Sequence, residues 1–334
     1  MTAMKAMILA AGYGERLWPL TADRTKPALP VLGKPLVGYV AEYLAQFGVR
    51  DIVVNLHHWP ESVRESLGDG SRFGVRLQYV HEPVILGTSG ALDNARQFFV
   101  DETFVVVNGK IITNIDLGAA MDTHRRTKAL ATLVLKKNPA RERFSVVEAE
   151  NGLVQRFGNL PAPIVARELS NGRSDMPLMF TGIQILEPRI FDYIPRGVFS
   201  HSTTEVYPQV IAKGERVAAH VGDGEWYELS TLQRYLDISL ALLKARGRNV
   251  DMGKDCEVDT SADVQDAILW NNVFIGSRAR ISGSVIGDGV QVGPGEILEN
   301  VVVVRAALVA GKTAPRKALP GRVEGDNFVV PLSQ

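Results

Sequence analysis

The sequence predicts an α/β protein, in which a doubly wound, mixed but mainly parallel sheet is followed by a left-handed parallel β-helix. From residue 5 to about residue 245, short β-branched runs alternate with segments of helical periodicity, as in a parallel sheet covered by helices. Beyond residue 253 the helical periodicity ends and aliphatic residues recur at a short fixed spacing. We therefore expect two domains, residues 1–247 and 253–334.

Short apolar runs predict the strands of the first domain, at residues 6–10, 52–54, 104–107 and 131–135. Segments with helical periodicity lie between them, at residues 36–47, 60–67, 89–98 and 117–126. Asp116 immediately precedes the last of these helices, where its carboxylate is expected to cap the helix N-terminus.

A six-residue repeat characterises the second domain. Its aliphatic positions are Ile286, Val292, Leu298, Val304 and Ala310, and Ile275 and Ile281 form the same series one residue out of phase. Glycine follows three of these positions, as Gly287, Gly293 and Gly311. Such a period predicts triangular coils of three hexads each, with the aliphatic residue of each hexad pointing inward. The alternative is an irregular, glycine-rich β tail, and in either case we expect a role in packing or subunit association.

Composition excludes several classes of partner. Lys and Arg together number 37, as do Asp and Glu, so the overall charge favours neither nucleic acid nor an anionic membrane. The single cysteine, Cys256, excludes an intrachain disulfide and fits a reducing compartment. No window approaches the roughly 20 apolar residues of a membrane span, so a cytoplasmic protein is expected.

The strongest functional signal follows the first predicted strand. Residues 9–21 read LAAGYGERLWPLT, and Lys26-Pro27 follow. A glycine-rich turn at the carboxyl end of a strand leaves backbone N–H groups free to meet phosphate oxygens. Arg16 and Lys26 add positive charge. The turn lacks the third glycine of a dinucleotide fingerprint, and it does not have the P-loop pattern.

This string resembles the signature of the sugar-1-phosphate nucleotidyltransferases. The resemblance covers about the first 235 residues and continues through residues 55–58, 82–90 and 180–183. Together with the hexad repeat, it is closest to mannose-1-phosphate guanylyltransferases, also called GDP-mannose pyrophosphorylases. The resemblance implies a Rossmann-like nucleotidyltransferase that joins a nucleoside triphosphate and a sugar-1-phosphate into an NDP-sugar, releasing pyrophosphate. GTP with mannose-1-phosphate is the best guess, followed by UTP or another hexose.

The same resemblance assigns roles to individual residues. Arg16 and Lys26 are the expected catalytic cations, which meet the phosphates. The expected nucleotide-binding residues are Leu9, Ala11, Gly12, Gly14, Glu82, Gly87 and Thr88. The expected sugar-phosphate-binding residues are Asn108, Gly109, Thr181 and Gly182.

The sequence departs from the family where a metal is expected. Family members place an Mg²⁺-binding aspartate after a strand that corresponds to residues 104–107, whereas this chain has Asn108-Gly109-Lys110. A second family aspartate is replaced by Glu228, which keeps the carboxylate. Mg²⁺ requires oxygen ligands at about 2.1 Å, so a lysine cannot bind it. The resemblance therefore implies a Mg²⁺ site with Glu228 as a ligand. The positive charge of Lys110 argues against the binding of that ion.

Three explanations of Lys110 remain open: an engineered substitution, a natural change in a non-catalytic paralogue, or a cation that takes over part of the metal's role. Two functions follow. The first is an enzyme that uses a nucleoside triphosphate and a sugar-1-phosphate, and the second is an inactive regulatory subunit that binds an NDP-sugar. We expect a homo-oligomer, or a hetero-oligomer with an active paralogue. An unrelated nucleotide-binding domain is the third possibility, because a fold alone does not determine function.

Overall fold

The structure is a computed structural model that describes residues 4–139, 146–158 and 177–332. It contains two compact units, each assembled from non-consecutive segments. The first unit consists of Met1–Ala11, Val40–His57 and Gly68–Trp226. The second consists of Gly12–Tyr39, His58–Leu67 and Tyr227–Gln334. Within the described ranges, no helix is both long enough and apolar enough to cross a membrane.

Counted over the described residues, the first unit is built on a nine-stranded sheet. Its strands are β1 (Lys5–Leu9), β2 (Asp51–Leu56), β3 (Arg76–His81), β4 (Phe104–Asn108), β5 (Ala131–Lys137), β6 (Val146–Glu150), β7 (Leu153–Gly158), β8 (Leu178–Leu186) and β9 (Val217–Val221). Their order across the sheet is β3-β2-β1-β4-β8-β5-β9-β7-β6, and β8 also pairs with β6. The predicted α/β class is therefore confirmed.

The expectation of a mainly parallel sheet holds only for one side of it. Strands β3, β2, β1 and β4 are mutually parallel. Beyond them β8 runs antiparallel to both β4 and β5, and β7 runs antiparallel to β6 and β9. The pair β5 and β9 is parallel. The sequence pattern could not reveal this, because an apolar run buried on both faces looks the same in either direction.

The predicted helices are largely in place. In the part of the chain that the structure describes, the α-helices are α1 (Leu36–Gln46), α2 (Pro60–Leu67), α3 (Gly87–Asn94), α4 (Leu117–Thr127), α5 (Tyr207–Ala212), α6 (Leu232–Lys244) and α7 (Ala306–Val309). The predicted bounds of the helix at residues 89–98 were wrong. Helix α3 begins earlier, at Gly87, the chain leaves α geometry at Ala95, and it continues as the 3₁₀ turn Arg96–Phe98. Asp116 caps α4 as predicted, accepting a hydrogen bond of 3.1 Å from the Ala119 N–H.

The second unit contains a stack of short parallel strands, residues 250–305, which we call the coil stack. The strands are Val250–Met252, Glu257–Val258, Asp263–Leu269, Phe274–Ile275, Arg280–Ile286, Gln291–Val292, Ile297–Glu299 and Val301–Arg305. Glu257 pairs with Phe274, and Phe274 with Gln291, so that equivalent positions are 17 residues apart. The predicted coil, made of three full hexads, is therefore one residue longer than the observed coil.

The phase break in the repeat explains this spacing. Ile281 and Ile286 are five residues apart, and the inward series continues through Val292 and Leu298 to Val303, again after five residues. Each coil thus contains one five-residue step and two six-residue steps. Val304, predicted to be the inward residue, is buried instead opposite Phe328 of an antiparallel strand.

The repeat ends earlier than predicted. After Arg305 the chain forms α7, and Asn327–Pro331 then returns antiparallel to Val301–Arg305, with Arg322–Glu324 beside it. The predicted inward position Ala310 is exposed. The interpretation of this residue and of Gly311 as part of the repeat was wrong, because alanine and glycine also occur at the end of a short helix.

Candidate functional site

The carboxyl ends of four parallel strands lie at one edge of the sheet. Leu9, the last residue of β1, is in register with Asn55 of β2 on one side and Asn108 of β4 on the other. In open α/β sheets, ligands bind in the crevice outside this edge. Strand β8 runs in the opposite direction, so its residues just before Ile183 reach the same edge, since Ile183 is in register with Val107.

A buried hydrogen-bond network joins the ends of β1, β2 and β3. The Ala10 N–H donates to Asn55 Oδ1 at 2.8 Å, and Asn55 Nδ2 donates to Glu82 Oε1 at 2.6 Å. The Leu86 N–H donates to the other carboxylate oxygen of Glu82 at 3.0 Å. Both oxygens of Glu82 are thus used to fix the backbone that leads to Gly87. We call these four residues the edge network.

Glu82 is fully buried, and this burial raises the pKa of its carboxyl above the ordinary value, against the opposing effect of the bonds from Asn55 and Leu86. Its backbone also contributes, because the Glu82 C=O lies 2.7 Å from His57 Nδ1. The carboxylate therefore has a structural role within the protein. The sequence pattern did not predict Asn55 as the partner of Glu82, although an amide side chain near the end of an otherwise apolar strand is a visible signal.

Gly87 and Thr88 begin α3 and contact the segment of residues 198–202. A Cβ on Gly87 would lie 2.4 Å from the Ser200 carbonyl oxygen, and its φ is +76°. The Thr88 hydroxyl accepts a hydrogen bond of 2.9 Å from the Ser202 N–H. Glycine at residue 87 is thus required by a close approach of the protein's own backbone, a reason that the sequence did not reveal.

Asn108 ends β4 beside β1, and Gly109 follows it. The Gly109 N–H donates to the Leu9 carbonyl at 2.9 Å, and a Cβ on Gly109 would lie 2.9 Å from the same oxygen. On the other side of β4, a Cβ on Gly182 would lie 2.2 Å from Asn108 Nδ2, and Gly182 has a φ of +84°. These predicted sugar-phosphate residues therefore lie together at the edge.

Thr181 is buried in an irregular stretch of β8. The register of β8 against β5 shifts between Phe180 and Gln184. In this stretch the Thr181 hydroxyl donates to the Val134 carbonyl at 2.7 Å, and the Thr181 carbonyl accepts from Trp226 Nε1 at 2.9 Å. The side chain of Thr181 thus fixes the local irregularity that places Gly182 beside Asn108.

The glycine-rich turn belongs to the second unit. Gly12 is exposed, and a Cβ there would meet nothing within 4 Å. Gly14 has a φ of +68° and precedes the 3₁₀ turn Glu15–Leu17, and a Cβ on it would lie 3.1 Å from Lys26 Cβ. The turn and Lys26 are therefore neighbours. Arg16 is exposed on the same turn.

The two expected metal positions do not fit Mg²⁺. Lys110 is half-buried in a two-residue turn between β4 and the strand Ile111–Thr113, and an ammonium group cannot be a ligand of Mg²⁺. Glu228, in the short strand Trp226–Glu228, is buried. Among the described residues, no three His, Cys, Asp or Glu side chains are grouped so that they could hold a metal ion. One carboxylate alone is a poor site for an octahedral cation.

Comparisons with known proteins identify a family and several relatives. The profile of the family described as Nucleotidyl transferase matches residues 5–245. A UTP–glucose-1-phosphate uridylyltransferase of Synechocystis is 33% identical over 92% of this chain and 81% of that protein. A mannose-1-phosphate guanylyltransferase of Mycobacterium tuberculosis is 28% identical over 88% and 82%. A crystal structure from Bacillus anthracis, assigned as a glucose-1-phosphate thymidylyltransferase, superposes with a TM-score of 0.60 and 25% identity, covering 75% of this chain and 98% of that one.

Proposed function

The chain belongs to the nucleotidyl transferase family, and from that premise we propose that it transfers a nucleoside monophosphate from a nucleoside triphosphate to a sugar-1-phosphate. The phosphate oxygen of the sugar attacks the α-phosphorus, and the bond to the departing pyrophosphate breaks. The observation that carries this proposal is the glycine-rich turn with Lys26 beside it, inside the matched region.

In this reaction the protein's task is to position two anions and to neutralise charge. Arg16 and Lys26 contact the triphosphate, and the open space beside Gly12 leaves room for it. Leu9, Ala11, Gly87 and Thr88 contribute backbone contacts to the nucleotide, and Glu82 supports them from within the edge network.

The sugar phosphate is proposed to bind at Asn108, Gly109, Thr181 and Gly182. These residues lie together, because Gly109 closely approaches Leu9 and Gly182 closely approaches Asn108. Because the Thr181 hydroxyl donates to Val134, we expect Thr181 to contribute through its backbone.

The identity of the base and the sugar is a finer proposal. The first pair to test is GTP with mannose-1-phosphate, the reaction in the name of the Mycobacterium tuberculosis relative. The second is UTP with glucose-1-phosphate, named for the Synechocystis relative, which has the higher identity. A few hydrogen bonds decide between such pairs.

Family members generally use Mg²⁺, which when bound supplies positive charge to the phosphates. Since the positions of Lys110 and Glu228 do not fit that ion, we propose that Lys110 supplies a fixed positive charge at the end of β4. This side chain would then attract a phosphate in the absence of metal, which makes nucleotide binding less dependent on Mg²⁺.

Lys110 also favours a second candidate function, a regulatory subunit that binds an NDP-sugar without forming it. Loss of a metal that stabilises the transition state can reduce turnover by orders of magnitude while binding remains. Such a subunit would associate with an active paralogue, and the coil stack offers a surface for that.

We propose that the coil stack is a left-handed β-helix and that it forms a separate domain after residues 247–253.

The enzymatic proposal is tested by measuring pyrophosphate release. The measurement uses a panel of nucleoside triphosphates and sugar-1-phosphates, with and without Mg²⁺. We expect release with at least one pair. No release, combined with calorimetric binding of an NDP-sugar, would instead support the regulatory subunit.

The variant Lys110→Asp separates the role of the lysine from that of the scaffold. If the lysine replaces the metal, this variant should bind nucleotide only in the presence of Mg²⁺, whereas the wild type binds without it. Lys137→Asp, on an exposed position of β5, is a matched control for the change of charge.

A further inference from the structure

The segment from Ala22 to Pro30 carries Lys26, and side chains of the second unit fix it at both ends. At one end the Arg24 guanidinium donates to Asp23 through Nε at 2.8 Å and to Asp288 Oδ2 through Nη2 at 2.8 Å. The guanidinium also lies 5.1 Å from the centre of the Trp270 ring. Two of these three partners belong to the coil stack.

Asp288 is itself fixed by the coil stack. It lies in the turn that follows the strand Arg280–Ile286, and its Oδ1 accepts a hydrogen bond of 2.9 Å from the Asn271 N–H of the preceding coil. The Gly289 N–H donates to the Asn271 carbonyl at 2.9 Å. One oxygen of the Asp288 carboxylate therefore bonds to the coil stack, and the other bonds to Arg24.

The other end of the segment is bound through Tyr235, which is fully buried in α6. Its hydroxyl donates to the Pro30 carbonyl and accepts a hydrogen bond of 3.0 Å from Trp270 Nε1. Trp270 thus acts at both ends, directly on Arg24 and through Tyr235 on Pro30. A third contact is the bond of 2.8 Å from Lys312 Nζ to the Ala22 carbonyl.

Lys26 lies between these two ends. It begins the 3₁₀ turn Lys26–Ala28, directly after the buried Thr25, whose N–H donates to Ser62 Oγ at 3.1 Å. Since Lys26 Cβ packs against Gly14, a shift of the segment changes where the ammonium lies relative to the glycine-rich turn.

We propose that Asp288 and Trp270 are positioning residues for nucleotide binding, which hold the backbone from Arg24 to Pro30 so that Lys26 points at the triphosphate. The proposal rests on the proposed function. Neither residue needs to touch the ligand. If they are removed, the free segment samples more conformations, and the nucleotide must order it on binding.

The test compares Asp288→Asn with Glu299→Gln, which removes the same charge from an exposed position of the coil stack. Asp288→Asn weakens the charge-assisted hydrogen bond from Arg24. We therefore expect the KM for the nucleoside triphosphate to rise about tenfold in this variant. The KM for the sugar-1-phosphate should stay within about twofold of wild type. Hydrogen exchange of the amides of residues 22–30 should accelerate in this variant, and Glu299→Gln should change neither quantity.

An unchanged KM for the triphosphate would overturn the proposal, as would an equal rise for both substrates, which indicates general loosening. If Asp288→Asn does not fold, Trp270→Phe keeps an aromatic ring beside Arg24 but removes the donor to Tyr235, and the same criteria apply to it. Wild-type protein that neither binds nor turns over any nucleotide would overturn the proposed function as well. Active wild type with an unaffected Asp288→Asn would overturn only the positioning role.

Discussion

The two groups of proposed ligand-binding residues are held by different kinds of contact. At the edge of the sheet in the first unit, Asn55 and Glu82 are buried, bond to each other, and accept hydrogen bonds from the backbone N–H groups of Ala10 and Leu86. In the second unit, the segment with Lys26 is held at Pro30 by the buried Tyr235, and elsewhere by partly exposed side chains distant in sequence, such as Asp288 and Lys312.

This difference predicts different consequences of substitution. The edge network is part of the sheet's core, so damage to it should appear mainly as lost folding stability. The Arg24–Asp288 ion pair and the bond from Lys312 are partly exposed, and exposed ion pairs add little to stability. Damage to them should appear mainly as weaker nucleotide binding.

The largest effect is expected at the sheet edge for Gly182→Ala. The new Cβ would lie 2.2 Å from Asn108 Nδ2, and a φ of +84° is unfavourable for alanine. We expect a loss of about 3 kcal/mol in the free energy of unfolding, from strain and displacement of Asn108. Urea denaturation measures this loss.

Gly152→Ala is the matched control, because Gly152 has a φ of +75° but a Cβ there would meet nothing within 4 Å. It should lose only the backbone part, about 1 kcal/mol. Equal losses in the two variants would show that the approach to Asn108 does not matter, and the sheet edge would be less tightly packed than we infer.

How much of the fold and of the candidate site the sequence predicted depended on how far apart the interacting residues lie along the chain. Local patterns correctly predicted β1, β4, α2 and the cap at Asp116, because each depends on neighbours a few residues away. The inward series at Ile281 and Ile286 also appeared, but its five-residue step was visible only as a change of phase. The repeat therefore seemed to continue to Ala310.

Contacts between distant segments could not be read in this way. Asn55 and Glu82 are brought together by strand order, and Gly87 is required by the Ser200 carbonyl far along the chain. The sequence marked Gly87 and Glu82 only through resemblance to a family. It did not mark Arg24 or Asp288, whose partnership depends on the fold of the second unit.

Asn55→Ala should have the next largest effect. It removes the acceptor for the Ala10 N–H and the donor to the Glu82 carboxylate, leaving both buried groups without these partners. We expect a loss of about 2 kcal/mol in the free energy of unfolding. Asn94→Ala, at an exposed amide with a longer bond of 3.3 Å to His81, should lose less than about 0.5 kcal/mol. A loss at Asn55 as small as at Asn94 would contradict a buried network.

Lys312→Met tests the other side of the comparison. The variant keeps much of the aliphatic chain but removes the bond to the Ala22 carbonyl and the charge 5.6 Å from the Trp59 ring. Because Lys312 is exposed, we expect a loss of stability below about 1 kcal/mol. Calorimetry should nevertheless detect weaker nucleotide binding. A large loss of stability with unchanged binding would reverse the distinction between the two regions.

The smallest effect is a pH dependence in the edge network. Burial raises the pKa of Glu82 in the folded protein above its ordinary value of 4.5. The folded state therefore retains the proton over a range where the unfolded state has lost it, and the contribution of Glu82 to stability falls as pH rises through that range. Glu82→Gln cannot ionise, so the stability of wild type relative to this variant should fall between mildly acidic and neutral pH, as measured by urea denaturation of both proteins. A difference that instead grows with pH would mean that the bonds from Asn55 and Leu86 stabilise the anion more than burial destabilises it.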